Sequence, residues 1–172
     1  MITDSSWYKL TVARMKGIET YFGYILNDLE YGEPDISRFD YLITTSEDDS
    51  YNSLVCHKLK HVFGAEHVYQ IPKHVDDFSQ QHGLTIKDYY TLDDSENALF
   101  ENMLKRFHFG WTFRSTELKD TYTYEQFKED NPRGKTVPLL ILRANQRVSL
   151  IDKKSLLPPA IGDTIIYYSE PS

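Results

Sequence analysis

The sequence predicts an α/β fold: a parallel sheet with crossover helices, followed by a small α+β unit. Three observations carry this expectation. Between residues 1 and 72, short β-branched and aromatic runs alternate with helical periodicity, a pattern that calls for parallel strands joined by helices. Beyond Pro72 the chain turns polar and sparsely apolar to about residue 94. After that it becomes strand-rich, without internal repeat or low-complexity tract. The expected organisation is a first unit over 1–72, a linker over 73–94 and a small α+β subdomain over 95–172.

Ile2-Thr3 ends a short strand at the acid Asp4. Ser5-Ser6 can cap a helix, because a hydroxyl accepts amide protons left unpaired in the first turn. That helix carries Trp7, Leu10, Ala13 and Arg14 on one face and stops at Gly17. Ile18 to Phe22 reads as a strand, Asn27 to Arg38 as a loop or short helix, and Tyr41 to Thr44 as a strand. Ser46 and Asp49 stand at capping-box spacing before a helix marked by Tyr51, Leu54, Val55, Leu59, Val62 and Phe63, with Gly64 as its stop. Val68 to Ile71 is the next strand. A short helix is expected inside 73–94, and a longer one from Ser95 to Phe107. Strands follow at Trp111–Phe113, Val137–Leu142, Arg147–Ile151 and Thr164–Tyr168, with one or two helical turns over Tyr124–Lys128.

Composition narrows the function classes. The chain has 172 residues, 19 Lys plus Arg against 26 Asp plus Glu, and a formal charge of −7. This balance argues against general nucleic-acid binding and against a polybasic hold on anionic lipid. One cysteine, Cys56, excludes an intrachain disulfide and a cysteine-based zinc cluster. No apolar run approaches the roughly 18 residues of a membrane helix. Met1-Ile2-Thr3-Asp4 does not begin a signal peptide.

The motifs favour binding over catalysis. No G-x-G-x-x-G or G-x-x-x-x-G-K-[ST] occurs, so the usual phosphate cradle is missing. His57 and His61 share a helix face, but flanking Lys58 and Lys60 mark a solvated surface. Cys56 reads as a buried structural residue. The acidic runs Glu47-Asp48-Asp49 and Asp93-Asp94 lack calcium-loop spacing and suit helix N-termini. No catalytic residues and no metal ligands are identified. Ligands of parallel α/β sheets bind beyond the carboxyl ends of the strands. That draws attention to Asp4 ending one strand, Gly23 following another and Thr44-Thr45-Ser46 ending a third, with helix capping by Asp4 and Ser46 as the alternative role.

An ordered set of segments resembles a known family. It comprises Asp4, Ala13-Arg14-Met15-Lys16-Gly17, Tyr21-Phe22-Gly23, Thr44 to Asn52 and Phe63 to Pro72. It resembles the cytoplasmic tails of bacterial sodium/proton antiporters of the cation:proton type. Those tails carry a Rossmann-like domain related to the regulator-of-potassium-conductance (RCK) domains. Val137 to Arg143 and Pro159 to Thr164, with its Gly-Asp turn, look like the family's small C-terminal subdomain. The resemblance implies an incomplete Rossmann-like, RCK-type sheet that begins inside its second strand and lacks the first strand and its glycine loop. Asp4 then matches the second-strand acid, and Thr44 with Thr45 the fourth-strand turn. It further implies a non-catalytic regulatory domain of a monovalent cation (sodium or potassium)/proton antiporter, cytoplasmic as the soluble tail of an inner-membrane protein. Its partners would be a second copy, as a homodimer, and the antiporter's membrane domain, with no nucleic acid and no direct membrane insertion. Pairing would use the strands around Ile2 and Tyr41, left without a middle neighbour. No cofactor is expected to bind tightly, with weak adenine-nucleotide binding as the upper limit. A small Rossmann-type nucleotide-dependent oxidoreductase and a stand-alone interaction adaptor are the alternatives.

Overall fold

The computed structural model describes residues 1–71, 90–91, 99–132, 134–150 and 158–171. It is mixed α/β, with two small parallel sheets and one antiparallel sheet. Strand β1 (Ile2–Asp4) crosses through helix α1 (Trp7–Met15) to β2 (Thr20–Phe22), and the two strands pair in parallel with Ile2 opposite Thr20. Helix α2 (Ile25–Asp28) follows, continued by a 3₁₀ turn, in the segment where a loop or short helix was expected. Strand β3 (Leu42–Thr44) crosses through α3 (Asp49–Phe63) to β4 (Val68–Gln70), again in parallel. Tyr90–Thr91 forms β5, parallel to β4, within the segment read as linker. The rest of that segment, and the start of the helix expected from Ser95, lie outside the described residues.

The parallel sheets have the orders β2–β1 and β3–β4–β5, so β1 and β3 each end a sheet. Their amino ends converge on one apolar cluster. Met1 and Leu42 both pack against Ile25, Ile36, Val55 and Leu59, which ties the two crossover units together.

Helix α3 buries Asn52, Val55, Cys56 and Leu59, the i, i+3, i+4, i+7 stripe of an amphipathic helix. Leu54, two positions from the buried Asn52 and so on the opposite side of the helix, and Val62, in its last turn, were read as part of the apolar face and are instead exposed. The helix is capped by Asp48, whose carboxylate accepts from the Tyr51 N–H at 3.0 Å. The expected Ser46/Asp49 box does not form, since the Ser46 hydroxyl donates to Asn52 Oδ1 at 2.7 Å. At α1, Ser6 holds the cap position without a side-chain cap bond; its own N–H donates to Asp4 Oδ1 at 2.6 Å.

Helix α4 (Phe100–His108) leads into the antiparallel sheet, ordered β6 (Thr112–Glu117), β9 (Thr164–Ser169), β7 (Thr136–Leu142), β8 (Val148–Leu150). Helix α5 (Tyr124–Asp130) opens with a full capping box between Thr123 and Gln126. Alternation along β9 sorts the two faces of the sheet. Ile165 and Tyr167 join Leu118 and Phe127 of α5 on one side. On the other, Tyr168 packs with Val137 and Leu139 and also with Tyr69 of β4. Tyr41, Ile71, Met103 and Trp111 complete this cluster, so one core joins the parallel and antiparallel parts.

Candidate functional site

Asp4 ends β1, and Thr44 ends β3 with Thr45 directly after it, so all three lie at the carboxyl ends of parallel strands. The strands belong to different sheets, β1 crossing to β2 in one and β3 to β4 in the other.

The three residues are not equally available. The Asp4 carboxylate is partly occupied by the Ser6 N–H, and its other oxygen lies 3.9 Å from Lys9 Nζ. Thr44 is buried, its hydroxyl 3.3 Å from Cys56 Sγ and 3.4 Å from the Tyr69 carbonyl. Thr44 therefore ties β3 to α3 and β4. Thr45 is exposed and presents the hydroxyl that faces solvent at this end.

Beneath the turn lies a polar layer that motif reading did not single out. Asn52 receives both the hydroxyl and the N–H of Ser46 and returns a bond from Nδ2 to the Ser46 carbonyl at 2.8 Å. Ser53 donates to Gln70 Oε1 at 3.1 Å, and Gln70 Nε2 reaches the Asp49 carbonyl at 3.5 Å. The available signal was Asn52 and Ser53 standing on the same helical stripe as Val55 and Cys56. Polar groups there must be hydrogen-bonded inside the protein.

No family model, no curated protein and no solved structure matches the chain. Its chemistry is therefore read from geometry. The amino end of α3 would be an anion site by its unpaired N–H groups and dipole. Here the Asp48 carboxylate occupies it, with Glu47 and Asp49 adjacent, so a phosphate meets negative charge. Burial pushes the Cys56 thiol up to about 11, partly offset by Thr44, which leaves it protonated and unreactive at neutral pH. Among the described residues no group of three or more His, Cys, Asp or Glu could hold a metal ion, and no helix is long and apolar enough to cross a membrane.

Proposed function

We propose that this chain is a non-catalytic regulatory domain of a monovalent cation/proton antiporter, an RCK-type unit acting by weak ligand sensing and by self-association. The observation that carries the reading is the split sheet. Two parallel crossover units, β1–α1–β2 and β3–α3–β4, lie in separate sheets, which supports reading them as the two halves of a doubly wound, Rossmann-like sheet without its middle strand. The antiparallel unit that follows, closed by the Gly162-Asp163 turn before β9, fits the family's small subdomain.

Asp4 and Thr45 offer a carboxylate and a hydroxyl suited to ribose. The Asp48 cap and the missing glycine loop disfavour phosphate. Each charged hydrogen bond forgone is worth about 1.5–3 kcal/mol, so NADH and ATP should bind no tighter than about millimolar. AMP or adenosine loses less. Calorimetry with NADH, ATP and AMP tests the site: micromolar NADH affinity lost in Asp4→Ala would overturn it. The antiporter assignment has its own test in the DNA directly upstream of the Met1 codon. Membrane helices encoded in frame support the assignment, and a stop codon followed by an unrelated frame removes it.

A further inference from the structure

Among the described residues, β6 is the longest strand at a sheet edge, with six residues against two or three in every other edge strand. At the opposite edge of the same sheet, β8 is partly closed, since the Val148 N–H donates to the Tyr41 hydroxyl at 3.2 Å. Strand β6 has no proline, keeps a regular register with β9 and is exposed at every residue except the half-buried Thr116. An open edge of this length is a template for another strand.

The surroundings favour a protein contact. Phe113 is 62% exposed, and the helix and turn leading into β6 add Phe107 at 63% and Phe109 at 77%. Exposed aromatic side chains on an edge strand and in the segment just before it suit an interface. Charge selects the partner. From Asn102 through Thr116 the chain carries Lys105, Arg106, His108 and Arg114 and no acid, whereas Glu117 ends the strand and Asp120 follows. The strand thus runs from a basic beginning to an acidic end.

We infer that two copies of this chain meet at β6, edge to edge and antiparallel across a two-fold axis. That direction sets the basic beginning of each strand beside the acidic end of the other, whereas parallel pairing would stack like on like. An axis through Arg114 would face that residue with its own copy. An axis through Ser115 puts Arg114 opposite Thr116 and Phe113 opposite Glu117, with no like charges directly opposed. A two-fold contact is self-complementary and closed, which suits an edge that pairs only once. The product is a continuous eight-stranded antiparallel sheet. The inference goes beyond the antiporter reading and stands without it. It also moves the contact away from β1 and β3, where the sequence alone placed it.

The test is sedimentation equilibrium of the full chain combined with cysteine cross-linking. Cys56 is 0% exposed, so an introduced thiol reports without background. The expected results are a dimer, a disulfide-linked dimer from Ser115→Cys under mild oxidation, and no link from Ile43→Cys on β3. Phe113→Asp should weaken the dimer by about tenfold or more. Ser115→Lys, on the exposed edge, gives the same readout should Phe113→Asp fail to fold by circular dichroism. A monomer at every concentration overturns the inference, as does a dimer in which Ser115→Cys stays unlinked.

Discussion

The Cys56 thiol lies under α3 against Thr44, and its raised pKa of about 11 follows first from desolvation. Native protein at pH 8 should leave a disulfide reagent unreacted, with one equivalent consumed on adding denaturant; rapid native labelling would show that the site opens. Asp163 shows the opposite balance. Burial alone would raise its carboxyl, but the Ala160 N–H, the Arg143 guanidinium at 2.9 Å and the Ala144 N–H together hold it below the usual range. A depressed folded-state pKa gives stability that is fully present above the ordinary Asp value, near 4, and is lost as pH falls through the folded value. Acid unfolding of the wild type should therefore steepen below about pH 4, and Asp163→Asn should flatten that limb. Asp163→Ala removes the carboxylate paired with Arg143, whose guanidinium keeps Ser149 Oγ and the Pro158 carbonyl among its partners, and should cost about 1.5–3 kcal/mol in urea titrations. Gly-Asp was legible as a turn from sequence; the clamp on Arg143, twenty residues earlier, was not, because it depends on the β7–β8 turn lying against it.

At the scale of elements, helices α1, α3 and α4 and most strands were legible from periodicity and stop residues, with ends shifted by a few residues. The cap of α3 was not. Ser46, Asp48 and Asp49 are all competent caps, and the choice is made by Asn52, which takes Ser46 and leaves the helix start to Asp48. The one or two turns expected over Tyr124–Lys128 form as α5, whereas its capping box between Thr123 and Gln126 was not read from the sequence. The candidate site behaves alike: strand ends located Asp4, Thr44 and Thr45, but burial separates Thr44, a structural hydroxyl, from Thr45, an exposed one. Asn52→Ala should then release the turn that carries Thr45. Its cost is about 1–3 kcal/mol, because the Ser46 N–H loses its acceptor. Asp48→Ala should cost about 1 kcal/mol as a lost cap. Urea unfolding midpoints order the two. A larger loss from Asp48→Ala would mean that the cap, and not Asn52, organises the turn.

For the whole molecule, the change of composition near Pro72 suggested two units, and nothing in local sequence could show that they share a core. Tyr69 of β4 is the side chain that joins them. It packs against Val137, Leu139 and Tyr168 of the antiparallel sheet, while its hydroxyl donates to the Glu66 carbonyl at 2.7 Å. Tyr41 adds a second tie through the Val148 N–H. A shared apolar cluster makes the parts unfold together, since melting either one strips cover from the other. The two tryptophans separate the signals, Trp7 on α1 and Trp111 packed against Tyr168. Trp7→Phe leaves fluorescence reporting on the antiparallel part, and Trp111→Phe leaves it reporting on α1. Both variants should melt in one transition that coincides with the far-ultraviolet signal. Tyr69→Ala removes the joining ring at a cost of about 3 kcal/mol, which for a chain of this size lowers the midpoint by about 6–12 °C. The decisive feature is that both probes fall together. If Tyr69→Ala lowers only one of them, or if the parent variants already melt in two steps, the cluster covers two independent cores and does not weld them into one.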